Sequence, residues 1–289
     1  MRGLNIVRLP PLLEVAQGRP EVVIGLVDGP VATAHPELVD ARIRELSETT
    51  RGTCVDTSSL ACKHGTFVAG ILAARRTSVA CGVCPGCTLL VRPIFTESIR
   101  NAALTPRTSP EELIAALVDC VDEGAQIVNL SVYLSQPTWR QEREVERVIG
   151  YAAQRRTMIV AAAGNWGTVR SSVITRHQWV IPAVSCDSEG RVSQWSTLSP
   201  SVGRRGLRAP GENITSLSSV GGVSISGGSS AAAAFVTGTL ALLLSVFPKA
   251  EAAEVKMAVT PHYEAQSSTI LPPLLDAWVA YLSLKRRHS

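Results

Sequence analysis

The sequence predicts an α/β fold: a three-layer sandwich in which a mostly parallel central sheet is flanked by helices. Three observations carry that expectation. Short β-branched apolar runs recur along the chain, helical patterns fall between them, and the runs are largely apolar, with only isolated polar residues such as Arg92 and Asn129. A strand that is apolar on both sides is buried on both sides, as in a parallel sheet covered by helices.

The first run, residues 22–27, ends in Asp28-Gly29-Pro30-Val31. His64 then opens a helical pattern whose Gly65, Ala69 and Gly70 suggest close packing. The second run is residues 89–94. Ser109, Pro110 and Glu112 next read as the N-cap, first position and capping-box partner of a helix, with Leu113, Ala116, Leu117, Cys120 and Val121 on one face and Gly124 at its end. Residues 126–131, 158–163 and 179–184 give three more strands, and residues 139–156 another helix. A last helix runs over residues 230–246 and is stopped by Pro248.

Composition removes several classes of protein. The chain has 289 residues, 45% hydrophobic and 18% charged, which is too apolar for a disordered chain. Its 28 Lys and Arg against 24 Asp and Glu form no dense basic patch, so no nucleic-acid partner is expected. The cluster Lys285-Arg286-Arg287-His288 reads as a solvated end. Residues 229–247 imitate a membrane span, but their Ser and Thr content and the lack of an aromatic belt favour a buried core helix, so no membrane partner is expected either. The start lacks the apolar stretch of a signal peptide, and a cytoplasmic location follows as the expectation. Seven cysteines, an odd number, then read as reduced thiols. Cys81, Cys84 and Cys87 have no fourth ligand at zinc-ribbon spacing; they read as structural thiols or a local disulfide, and no metal is expected.

Three loops carry reactive residue types. Each has a plain structural reading: Asp28 as a turn cap, His64 as a packed histidine, and the stretch Gly227-Gly228-Ser229-Ser230 as the start of an alanine-rich core helix. Taken together they say more. Asp, His and Ser in that chain order, each at a strand end or helix start, supply an orienting carboxylate, a base and a nucleophile at a helix N-terminus. Asn165, after the fourth of the apolar runs, adds an amide donor of the kind an oxyanion hole needs.

At these residues the sequence resembles the subtilisin-like serine proteases. The matching motifs are the strand into Asp28, His64-Gly65-Thr66-x-Val68-Ala69-Gly70, Ala162-Ala163-Gly164-Asn165-x-Gly167, Ala209-Pro210-Gly211 and Gly228-Ser229-Ser230-x-Ala232. The family places Val and Gly six and eight positions after the nucleophile; Val236 and Gly238 stand there relative to Ser230, whereas Ser229 would need Phe235 and Thr237. The resemblance therefore implies Ser230 as nucleophile, His64 as base, Asp28 as its orienting partner, and Asn165 with the Ser230 N–H as oxyanion donors. It also implies an extended substrate along Leu130, Ser131, Val132 and Tyr133, and a P1 pocket lined by Ala162, Ala163 and Gly164. No cofactor is implied, and the partner is a peptide or protein substrate.

A narrower likeness, to the cyanobactin maturation proteases, rests on Asp28-Gly29-Pro30-Val31, His35-Pro36, Gly82-Val83-Cys84-Pro85-Gly86-Cys87, Arg92-Pro93-Ile94-Phe95 and Ala209-Pro210-Gly211-Glu212-Asn213-Ile214. It implies processing of a ribosomally made precursor peptide. Residues 64–80 run straight into the next strand without a capping insertion, which favours hydrolysis of the leader over cyclisation of the core peptide. The alternatives are a general intracellular subtilisin-like protease, an inactive leader-binding module, and an α/β-hydrolase esterase, whose triad histidine would come last.

Three departures from the family stand out. Ala234 replaces the proline four residues after the nucleophile, Tyr133 replaces a glycine of the substrate-binding strand, and the usual calcium-binding loop has Arg75 and Arg76 but no carboxylate. The expected organisation is a single peptidase domain over residues 1–289, with an N-terminal extension (1–20), a catalytic core (21–260) and a C-terminal segment (261–289). The short stretch before the first strand leads to the expectation of a domain that folds without a pro-segment.

Overall fold

A computed structural model describes residues 2–46, 54–95, 97, 108–132, 134, 137–260 and 269–289. Its strands are β1 (Val23–Asp28), β2 (Arg42–Glu45), β3 (Thr88–Pro93), β4 (Ile127–Leu130), β5 (Met158–Ala162), β6 (Val180–Cys186), β7 (Leu207–Pro210), β8 (Ile214–Leu217) and β9 (Val223–Ser226). The helices are α1 (Arg2–Ile6), α2 (Pro10–Val15), α3 (Leu60–Ala73), α4 (Pro110–Asp122), α5 (Trp139–Gln154), α6 (Val173–Arg176), α7 (Pro200–Arg205), α8 (Ser229–Val246), α9 (Ala252–Val259) and α10 (Ala277–His288).

Seven strands form one sheet in the order β2-β3-β1-β4-β5-β6-β7, every neighbouring pair parallel. Side chains of β1 divide between its faces. Ile24 and Leu26 join the core under α3, α8 and α9, while Val27 joins the core under α4 and α5. The order changes direction at β1, with β3 on one side and β4 on the other. Parallel α/β sheets open a crevice at the carboxyl ends of strands at such a point, and β1 ends there in Asp28.

Local chemistry explains the helices. Ser109 caps α4 by accepting the Glu112 N–H at 3.1 Å, and the buried residues of α4 include the apolar face read from the sequence. The Glu112 carboxylate also reaches Arg92 of β3 at 3.0 Å, and Asp119 meets the same guanidinium at 2.6 Å. Arg92 is thus a buried cation tying β3 to α4, an arrangement stable only while its partners stay. The span-like stretch is α8, an 18-residue helix buried along nearly its whole length within the protein.

Both ends of the described chain pack on the same core. Leu4, Val7, Leu9 and Leu12 from the N-terminal helices lie in one cluster with Ala277, Ala280 and Leu284 of α10. The Ala277 N–H donates to the Val7 carbonyl at 2.9 Å.

The structure corrects the expectation of reduced thiols throughout. Cys54 and Cys62 form a disulfide, because the loop before α3 turns back and brings their Cα atoms to 5.5 Å. The remaining five cysteines are free.

Candidate active site

Asp28 ends β1 wholly buried, and its Oδ1 accepts the Gly29 N–H at 2.6 Å. The same oxygen lies 2.6 Å from His64 Nδ1. A carboxylate can only accept, so Nδ1 carries the proton and Nε2 is left as a lone-pair base. Burial acts to lower the His64 pKa, but the charge of Asp28 and the hydrogen bond to it outweigh burial, and the net shift is upward.

The approach that makes this contact depends on glycine. A Cβ on Gly65, next to His64, would lie 2.3 Å from the Gly29 carbonyl oxygen, and one on Gly29 would lie 1.9 Å from that of Ala61. Bare backbone at both positions lets α3 press against the loop that follows Asp28. On its other side α3 is held by Ser216, whose hydroxyl donates to the Phe67 carbonyl at 2.6 Å.

The third element enters at the start of α8. Gly228 is its N-cap, with φ of 112°, a left-handed conformation suited to glycine. Its missing side chain leaves room for the Asn165 carboxamide, whose Nδ2 lies 2.8 Å from where a Cβ would stand. Asn165 Oδ1 accepts the Ser229 N–H at 2.9 Å, which fixes the amide and leaves Nδ2 as the donor. The two serines then part company. Both border the cleft with His64 and Asn165, but Ser229 is 1% exposed and its hydroxyl accepts the Gly164 N–H at 3.2 Å, whereas Ser230 is 9% exposed.

That cleft encloses about 930 Å³. Ser131, Val132, Ala162, Ala163 and Gly164 line it. Leu130 does not: it is fully buried within the sheet, opposite Val27 and Ala161, so its place among the substrate-contacting residues is corrected. Tyr133 lies outside the described residues. A buried polar chain backs Ser131, with Thr237 donating to Asn129 Oδ1 at 2.9 Å and Asn129 Nδ2 donating to Ser131 Oγ at 3.2 Å.

Sequence reasoning missed several parts of the cleft wall. Leu60, Lys63 and Phe67 come from α3, where their spacing of three and four residues puts them on one helix face; that spacing was the available signal. Ser218, Ser224 and Ile225 come from the β8–β9 hairpin, whose serine-rich sequence offered none.

An aspartate at a strand end, a histidine fixed on it and a serine at a helix start, in that chain order around one crevice, mark a subtilisin-like serine hydrolase. Comparison makes the class specific: residues 19–268 match the Peptidase S8 subtilase family, and the chain belongs to that family. Mycosin-3 of Mycobacterium tuberculosis (strain ATCC 25618 / H37Rv) is 30% identical over 261 residues, covering 71% of this chain and 56% of that protein. The chain thus spans about half the length of that relative. Among solved structures, the protease domain of PatA superposes with a TM-score of 0.83 at 25% identity, covering 94% of this chain and 98% of that one. The prenylagaramide maturation protease PagA gives 0.82 at 25% identity, covering 96% and 98%.

Proposed function

We propose that the chain is a serine endopeptidase that removes the leader from a ribosomally made precursor peptide by hydrolysis. The observation that carries the reading is the fixed Asp28–His64 pair facing a cleft that Ser230 and Asn165 also line. Nε2 of His64 takes the proton as Ser230 Oγ attacks the scissile carbonyl, and returns it to the leaving amine. Asp28 keeps the base in its tautomer and stabilises the imidazolium. Asn165 Nδ2 and the Ser230 N–H, at the positive end of α8, receive the charge that develops on the carbonyl oxygen. Water then resolves the acyl-enzyme.

The peptide lies extended beside Ser131 and Val132, with its P1 side chain toward Ala162, Ala163 and Gly164. Likeness to PagA, a maturation protease, supports a precursor peptide as substrate. The experiment is incubation of the purified chain with candidate precursor peptides and mass spectrometry of the products. Linear leader and linear core peptide are expected; a macrocycle without linear core overturns the hydrolytic reading.

A further inference from the structure

Two of the hydroxyls buried along α8 are satisfied within the helix. Thr239 donates to the Phe235 carbonyl at 2.9 Å, and Ser245 to that of Ala241 at 2.7 Å. Bonding four residues back is the ordinary outcome for a buried helical hydroxyl. Thr237 does otherwise: its proton crosses to the sheet, where Asn129 Oδ1 accepts it, and the same amide donates to Ser131 Oγ. Thr237 and Asn129 are fully buried, and Asn129 stands between Leu26 of β1 and Val160 of β5, its equally buried register partners. Burying an amide among such neighbours carries a desolvation cost that its hydrogen bonds offset only in part, so core packing alone does not account for it.

The placement of this polar chain is informative. Thr237 follows Ser230 by seven residues, close to two full turns, so both lie on one face of α8 about 10 Å apart along its axis. Asn129 and Ser131 are alternate residues at the end of β4 and share a sheet face. The chain therefore bonds the helix that carries Ser230 directly to the strand end that borders the substrate. Elsewhere α8 meets the core through alanine, leucine and valine side chains. Such contacts are non-directional and fix the helix along the sheet by shape alone. The Thr237–Asn129–Ser131 hydrogen bonds add direction.

We propose that Thr237 and Asn129 are positioning residues for the peptidase reaction, acting through Ser131. They set the height of the cleft wall that holds the P1 residue relative to the nucleophile on α8, so that the scissile carbonyl meets Ser230 Oγ. A displacement of about 1 Å between the two costs as much as about 10²-fold in rate. The inference rests on the endopeptidase reading above and deepens it.

The test uses a peptide that the enzyme cleaves. Asn129→Leu combined with Thr237→Val replaces both buried polar groups by apolar ones of similar shape, which leaves stability near that of the wild type. The double variant is expected to keep its urea midpoint while kcat falls at least about tenfold with KM little changed. Ser131→Ala shows a similar loss, and adding the double substitution to it lowers kcat no further, because all three act at one point. Thr237→Ser keeps the donor and retains wild-type kcat. Where the double variant unfolds, Thr237→Val alone takes its place in both comparisons. Wild-type kcat in the folded double variant or in Ser131→Ala overturns the proposal. So does a full further loss when the double substitution is added to Ser131→Ala, or a loss in Thr237→Ser equal to that of Thr237→Val. Each of these results leaves the peptidase reading intact. Failure of the wild-type chain to cleave any peptide overturns that reading and this inference with it.

Discussion

His64 Nδ1 lies 2.6 Å from Oδ1 of the fully buried Asp28, a contact that commits one imidazole nitrogen and frees the other for chemistry. An amide in place of the carboxylate presents a donor as well as an acceptor and no charge, so it holds the ring in the right tautomer only part of the time. Asp28→Asn is expected to lower kcat about 10⁴-fold. Steady-state kinetics on a peptide substrate checks this; a loss of less than about tenfold contradicts the role given to Asp28.

The same contact sets the pH dependence. Catalysis needs His64 neutral at Nε2, and its pKa is raised above the ordinary 6.5. Activity therefore falls as pH drops through that raised value, and the acid limb of kcat/KM lies above 6.5. Asp28→Asn removes both the charge and the ionic hydrogen bond that raise the pKa, while burial still lowers it, so the limb moves to lower pH. A limb at the same pH in both enzymes assigns it to another group.

Asn165 holds its carboxamide against the Ser229 N–H, with Nδ2 left as the donor. Asn165→Ala is expected to lower kcat about 10²–10³-fold with little change in KM, because the lost hydrogen bond belongs to the transition state. A rise in KM at unchanged kcat makes Asn165 a substrate-binding residue instead.

Arg92 supplies a stability prediction away from the cleft. Its guanidinium is buried between Glu112 and Asp119. Removing both carboxylates strands a buried charge, so Glu112→Ala with Asp119→Ala should cost about 3–5 kcal/mol by urea unfolding, and Arg92→Met distinctly less. Equal losses for the two changes contradict this account of the cluster.

The chain order of Asp28, His64 and Ser230 was legible because Asp28 ends a strand and the two others lie in the first turns of helices with their own sequence signatures, although α3 begins at Leu60, one turn before the start expected at His64. The choice between the two serines rested on Val236 and Gly238, and the structure supplies a physical reason for that spacing. A Cβ on Gly238 would lie 2.5 Å from Val83 Cγ1, so this close approach fixes the register of α8. Other features had no such signature. β2 reads Arg-Ile-Arg-Glu, and the β8–β9 hairpin is short and serine-rich, so neither shows the apolar run of a buried strand. Leu130 was misplaced because sequence gives a strand but not its neighbours; between β1 and β5 it is occupied on both sides. The Cys54–Cys62 bond needs a turn that no local pattern announces.

The central claim is that Ser230, and not Ser229, is the nucleophile that His64 activates. Intact-mass spectrometry after treatment with a fluorophosphonate probe tests it most directly. The account predicts one adduct on the wild-type chain and on Ser229→Ala, and none on Ser230→Ala; an adduct that persists on Ser230→Ala contradicts it.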